Sequence, residues 1–110
     1  MSLETVGLVD TGATQSLIPR EIAEVLMLEY EEGEDEVLGA GGVFTAQLAK
    51  LKKLVLLKNV TPFASFLEVK VLVPEREGIL PYAILGRDYT FKRFDITFHE
   101  KRQKMTFTKT

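Results

Sequence analysis

The sequence predicts a small, mostly β domain with one or two short helices, and three observations lead to that expectation. Apolar residues occupy every second position over Leu67–Val73, which is the period of a half-buried strand. Two apolar segments flank the glycine-rich run Gly39–Gly42, an arrangement typical of a hairpin. Helical spacing of apolar residues is brief and confined to Arg20–Leu28. Since 110 residues suffice for one core, we expect a single domain over residues 1–110.

The first third of the chain predicts a strand, a turn, a helix and a loop. Val6–Val9 is a short apolar run that ends abruptly at Asp10, which indicates a strand leading into a turn. Pro19 stands at or just before the first turn of the helix Arg20–Leu28, where its missing N–H costs nothing. The segment Glu29–Glu36 holds six acidic residues in eight, so we expect a solvated loop there.

The rest of the chain predicts longer strands and a closing hairpin. Thr45–Leu57 suits one long strand or two strands with a bend, and Ala83–Leu85 reads as a short buried strand. Asp88 is placed to cap a short helix over residues 89–93. The last segment, Asp95–Phe107, predicts an amphipathic hairpin in which Ile96 and Phe98 pair with Met105 and Phe107, so one of its faces needs a partner surface.

Composition excludes several classes of function. The net charge is −2, and the lysines of residues 50–58 are interspersed with leucines, as on the solvent-exposed face of a strand pair. Nucleic-acid binding needs a clustered basic surface, so we expect no nucleic-acid partner. The chain has no cysteine and one histidine, which leaves no thiolate or histidine zinc site, and we expect no metal and no cofactor. No apolar run approaches the ~20 residues of a membrane span, and no signal peptide is visible. We therefore expect a soluble, cytoplasmic protein.

Two other interpretations of charged and glycine-rich segments are weaker. The acidic run lacks the ligand spacing of a calcium loop. The glycines of Gly39–Gly42 lack the Gly-Lys-Ser/Thr ending of a phosphate-binding loop, and no helical pattern follows them directly.

Three motifs follow one another along the chain. Asp10-Thr11-Gly12-Ala13 follows the apolar pair Leu8-Val9, the hairpin Leu38–Phe44 comes next, and Ala83–Asp88 begins about seventy residues after Asp10. Each motif is weak alone, but the ordered set resembles the retroviral and retroviral-like (retropepsin) aspartic protease family over nearly the whole chain, Val6–Phe107. The resemblance implies a small closed β-barrel-like domain, which is one half of an aspartic protease.

The chemistry of such a protease agrees with the sequence. Peptide hydrolysis by this route needs two carboxylates close enough to share one proton, one acting as base on a water and the other as acid on the scissile carbonyl. Among the four aspartates, Asp10, Asp35, Asp88 and Asp95, only Asp10 has an apolar lead-in and a tight turn. A single productive aspartate requires a second chain, so we expect a two-fold homodimer with Asp10 of each subunit on the axis.

The resemblance also implies roles for further residues. Thr11 would hydrogen-bond across the dimer axis, and Gly12 would let the backbone approach the carboxylate closely. The glycine hairpin would be a flap that closes over an extended peptide or protein substrate. The implied catalytic group is Asp10, Thr11 and Gly12; the flap and substrate-binding group is Gly39, Ala40, Gly41, Gly42 and Ala13; and the supporting group is Ile84, Leu85, Gly86 and Arg87.

The chain departs from the family pattern in three places. Only nine residues precede Asp10, so either the first strand is missing or the sheet is built differently. Thr14 replaces an acidic residue that viral members pair with the arginine equivalent to Arg87, which puts anchoring of the substrate backbone in doubt. The closing hairpin is longer than in the shortest viral enzymes and resembles the dimerising strands of cellular members. Two alternatives therefore stay open, namely an inactive retropepsin-like dimerisation or peptide-binding module and a β-barrel interaction domain without protease ancestry.

Overall fold

Most of the chain folds into β-strands, and it has one short helix in the part described, as the sequence predicts. The computed structural model describes residues 2–10, 12–39, 42–58, 60–88, 94–99 and 104–109. The elements in order are β1 (Gly7–Val9), α1 (Arg20–Leu26), β2 (Glu29–Tyr30), β3 (Asp35–Gly39), β4 (Gly42–Lys58), β5 (Thr61–Pro74), β6 (Ala83–Leu85), β7 (Phe94–His99) and β8 (Lys104–Lys109).

The helix α1 is short because its two ends are fixed by backbone geometry. Pro19 precedes the first turn with a φ of −58°, which suits helix entry. Met27 adopts the left-handed conformation, with φ 56° and ψ 47°, and its N–H donates to the Glu24 carbonyl. The helix therefore ends at Leu26 rather than at the predicted Leu28, and it buries Ala23 completely.

The long strand β4 organises the sheet. It pairs antiparallel with β5 along one edge and with β2 and then β3 along the other. Beyond β5, the segment at Leu17 bridges to Leu72 in parallel and to Ile84 in antiparallel orientation. Because β6 in turn pairs in parallel with β1, backbone pairing runs from the β3–β4 hairpin across to the strand that precedes Asp10.

Two apolar clusters hold the sheet and the helix together. The larger one joins Ala23 of α1 to the inward face of β5, where Val69, Val71 and Val73 are almost completely buried. Burying a valine contributes about 1.5–3 kcal/mol relative to leaving it exposed, so these three positions are a main source of stability. The smaller cluster is Leu17, Ala46, Leu72 and Leu80, with Val37, Phe44, Leu48, Ile79 and Ile84 packed against it.

The acidic segment is partly strand, which corrects the sequence interpretation. Glu29 and Tyr30 pair with Lys50 and Ala49, and the segment's last two residues open β3. These short pairings tolerate the charge because all the acidic side chains except the half-buried Glu31 are exposed. Only residues 31–34 form the expected loop.

The remaining fold predictions have different outcomes. The closing hairpin pairs the predicted residues with one another, with Ile96 opposite Phe107 and Phe98 opposite Met105. The strands of the described ranges form no closed barrel, because their pairing ends at β1 on one side and at β2 and β3 on the other, and β7 and β8 pair with each other. The predicted helix over residues 89–93 lies outside the described residues. Within those ranges, no helix is long and apolar enough to cross a membrane.

Candidate active site

Asp10 lies directly after β1, where the strand pairing continues for one more residue. Its N–H donates to the Leu85 carbonyl at 3.0 Å, so the first residue of the loop stays attached to β6. The side chain of Asp10 is half-buried. The pairing of β1 with β6 therefore fixes the backbone position from which the Asp10 side chain extends.

A tight turn holds the Asp10 carboxylate. The N–H of Gly12 donates to Asp10 Oδ1 at 2.8 Å, and the N–H of Ala13 donates to the Asp10 carbonyl at 3.2 Å. A Cβ atom at position 12 would lie 3.2 Å from Oδ1, so a side chain there would crowd the carboxylate oxygen. Thr11, the remaining member of the predicted catalytic group, lies outside the described residues.

The loop after this turn rests directly on Gly86. A Cβ atom at Gly86 would come within 2.6 Å of the Gln15 carbonyl oxygen and 2.9 Å of the Ala13 carbonyl oxygen, distances that no real Cβ tolerates. The N–H of Arg87 donates to the same Ala13 carbonyl at 2.9 Å. Glycine is therefore required at position 86 because two backbone segments touch there.

Ser16 and Asp88 make a second connection between the same two segments. The Ser16 N–H donates to Asp88 Oδ2 at 2.9 Å, and the Ser16 hydroxyl donates to Asp88 Oδ1 at 2.8 Å. The Gly86 N–H donates to the Ser16 hydroxyl oxygen at 3.1 Å. Ser16 is only 2% exposed, and it is the buried polar residue of the described core.

The β3–β4 hairpin carries the predicted flap. Gly39 pairs with Gly42 at its end, and Gly42 has a φ of +112° that suits glycine. Leu38 and Val43 pair on the outward face and are 82% and 62% exposed. On the opposite face, Val37 and Phe44 pack against the smaller cluster. Ala40 and Gly41 lie outside the described residues.

The structure brings together some of the predicted site residues and leaves others apart. Asp10 and Ala13 lie against the supporting segment Ile84–Arg87 through hydrogen bonds and packing, and Gly12 contacts the Asp10 carboxylate. Gly39 and Gly42 lie on a separate hairpin, joined to that segment through the sheet. Sequence reasoning missed Ser16, and it gave Asp88 only a capping role. A short polar residue directly before an apolar pair, here Leu17-Ile18, is the signal that could have marked Ser16 as buried.

Two perturbed groups lie near β2, away from Asp10. Burial raises the pKa of the Tyr30 hydroxyl, although the nearby Arg20 guanidinium, 4.5 Å from the ring centre, opposes that shift. A hydrogen bond from Lys70, at 2.8 Å, lowers the pKa of Glu31. Within the described ranges, no cluster of histidine, aspartate and glutamate side chains could hold a metal ion. At Asp10 itself the structure shows a carboxylate held by the Gly12 N–H beside a backbone loop.

Comparison with known proteins identifies the family of the chain. A search of curated proteins found no match to the chain. The family model described as aspartyl protease matches residues 3–89, a span that includes the Asp10 turn, the hairpin and the Gly86 contact. Since this match covers most of the sequence, it confirms the predicted resemblance, and the chain belongs to the aspartyl protease family.

Proposed function

We propose that the protein is an aspartyl endopeptidase that acts as a homodimer, with Asp10 of each subunit activating one water for peptide hydrolysis. The observation that carries the proposal is the Asp10 carboxylate, held at Oδ1 by the Gly12 N–H in a loop attached to β6. General acid–base catalysis needs a group held in position beside the reacting proton, and a carboxylate fixed in this way supports that role.

The chemistry needs a pair of carboxylates that share one proton. The ionised member takes a proton from water as the water oxygen attacks the scissile carbonyl carbon, and the protonated member donates to the carbonyl oxygen. Collapse of the tetrahedral intermediate then breaks the C–N bond while a proton passes to the leaving nitrogen. Water is consumed, and the shared proton returns to the pair.

The second carboxylate comes from a second copy in this proposal. Among the other aspartates, Asp88 has both carboxylate oxygens engaged by Ser16, and Asp35 lies exposed at the start of β3. A two-fold axis beside Asp10 would place two identical loops face to face. Within the described ranges β7 and β8 pair only with each other, and a two-stranded sheet gains stability from a partner surface, which supports dimerisation.

The substrate would be an extended peptide segment bound between the Asp10 loop and the β3–β4 hairpin. The hairpin would close over it as a flap, through Gly39, Ala40, Gly41 and Gly42, and so exclude water from the cleft. Ala13 would contact the substrate backbone beside Asp10. A cytoplasmic location also remains a prediction from the sequence.

The test is peptide cleavage across a broad pH range by the wild-type protein and by Asp10→Asn. We expect the variant to lose at least about 100-fold of the rate, since general acid–base catalysis typically contributes 10²–10⁴-fold. A pepstatin-type inhibitor should block the wild-type reaction. Glu77→Gln, which removes an exposed carboxylate in the turn before β6, is the matched control and should leave the rate unchanged.

Two outcomes would contradict the proposal. Equal cleavage by Asp10→Asn and wild type would show that Asp10 does not perform the chemistry. A monomer at all concentrations in analytical ultracentrifugation would leave each carboxylate without its partner. A stable dimer that binds peptide but does not cleave it would instead favour the non-catalytic module.

A further inference from the structure

We propose that Asp88 and Ser16 are positioning residues that hold the loop carrying Asp10 in its productive geometry, an inference that rests on the proposed function. The two side chains connect the segment after Asp10 to the segment after β6 by three hydrogen bonds of 2.8–3.1 Å. Neither group is assigned to contact substrate. Their effect on the reaction would pass through the position of Asp10.

The geometry of the pair favours a rigid connection over a chance surface contact. Both Asp88 oxygens accept from one residue, one from the Ser16 N–H and the other from its hydroxyl. The Ser16 oxygen then accepts from the Gly86 N–H, so every polar atom of this side chain has a partner. Charged hydrogen bonds of this length are about twice as strong as neutral ones.

Burial makes the connection costly to break. Ser16 is 2% exposed, so water cannot readily replace the Asp88 carboxylate as acceptor of the hydroxyl. A buried donor that loses its partner carries the full cost of desolvation. The Ser16 carbonyl also accepts from the Leu72 N–H at 2.9 Å, which ties the same residue to β5.

The Ser16–Asp88 pair also bears on the substitution of an acidic residue by Thr14. Thr14 cannot make the ion pair to Arg87 that an acidic residue would make, so that connection between the two segments is absent by residue type. Ser16 lies two residues after Thr14, and Asp88 lies one residue after Arg87. Their hydrogen bonds connect the same two segments. We infer that the chain holds its loop by this pair in place of the ion pair.

The kinetic test compares Asp88→Ala, Ser16→Ala and the double variant with wild type. A displacement of about 1 Å at a reacting group can cost on the order of 100-fold in rate, so kcat of Asp88→Ala should fall by about that factor while KM stays nearly constant. Ser16→Ala keeps the N–H to Asp88 and should fall less. Because the residues act together, the double variant should be no slower than Asp88→Ala within about twofold.

A conservative variant and a control separate positioning from general damage. Asp88→Asn keeps an acceptor for the Ser16 N–H and can donate to the Ser16 hydroxyl oxygen, so its kcat should lie between those of wild type and Asp88→Ala. Glu77→Ala, at an exposed carboxylate, should match wild type. An unchanged kcat in Asp88→Ala, or multiplicative losses in the double variant, would overturn the inference.

A measurement without substrate keeps this test independent of the protease proposal. In Asp88→Ala, amide hydrogen exchange at Ser16 and Gly86 should accelerate by about tenfold or more, while the amides of β4 and β5 stay protected. Acceleration of all amides together, or of none, would refute the role of the pair. If Asp10→Asn cleaves as well as wild type but the exchange pattern holds, the protease proposal fails and the connection stands.

Discussion

The loop that carries Asp10 and the β3–β4 hairpin differ sharply in how they are held. The loop is fixed on both sides by backbone and side-chain hydrogen bonds and touches Gly86 with no room for a methyl group. The hairpin end is held by its own strand pairing, and its outward Leu38 and Val43 are mostly exposed. Among the described residues, none beyond the chain neighbours of Gly42 lies within 4 Å of the position that a Cβ atom would take there. Segments with few buried contacts open at low free-energy cost. One region can therefore stay rigid while the other moves.

The largest expected effect tests the rigid region through Gly86→Ala. The added methyl group would overlap backbone atoms of residues 13 and 15, so one of the two segments must shift. Overpacking of this kind typically costs 1–3 kcal/mol, and we expect the free energy of unfolding to fall by about 3 kcal/mol. Urea denaturation measures this through the midpoint at constant slope.

A second glycine provides the control for that experiment. A methyl group at Gly7 would meet the Leu85 side chain at 3.5 Å, an ordinary contact, so Gly7→Ala should be neutral or slightly stabilising. Equal urea midpoints for the two variants would mean that the close contact at Gly86 is not a constraint on the fold.

An intermediate effect is expected at Gly42, where the constraint is conformational rather than steric. A φ of +112° strains any residue with a side chain, although no atom of the described residues beyond the chain neighbours lies within 4 Å of the position of a new methyl group. Gly42→Ala should lower the free energy of unfolding by about 1–2 kcal/mol. Amide exchange should increase within Asp35–Ala46 and remain unchanged at Asp10 and Ala13. Acceleration at the Asp10 loop as well would show that the two regions are not independent.

The smallest expected effect lies outside both regions, at Glu31. Its hydrogen bond from Lys70 lowers its pKa from the ordinary value of 4.5, so the folded state favours the charged form. The resulting stabilisation is present above that ordinary value and is lost as the pH falls through the lowered folded pKa. Glu31→Gln should therefore lose less stability than wild type between about pH 5 and pH 3, measured as urea midpoints. If the urea midpoints of wild type and Glu31→Gln fall in parallel with pH, the Glu31–Lys70 pair does not contribute to the loss of stability in acid. Added salt should reduce the difference between the two proteins.

Much of the fold could be predicted from the sequence because the spacing of apolar residues and the residues that favour turns are local patterns. The predictions of the hairpin around Gly39–Gly42, of the closing hairpin and of the start of α1 after Pro19 all depend on residues close together in the sequence. The predicted loop at Glu29–Glu36 was wrong at its ends, since short strands can form by backbone pairing while their charges stay in water.

The candidate site was predictable only in part for the same reason. Asp10 followed from its apolar lead-in and its turn, and the structure places it against the predicted supporting segment. The connection between Ser16 and Asp88 spans 72 positions, and neither residue has a local pattern that selects the other as partner. Pairing at that separation depends on the whole topology, which single-residue propensities do not encode.

The bridging position of Leu17 has a consequence for how the protein assembles. Its segment joins Leu72 on one side and Ile84 on the other, so two distant parts of the chain must arrive before it can be incorporated. Contacts between such widely separated positions form slowly, because the chain between them loses conformational entropy before the favourable contacts are made. We expect Asp10 to reach its final environment late in folding, so under the proposed function a newly made chain would cleave no peptide until the rest of the domain is complete.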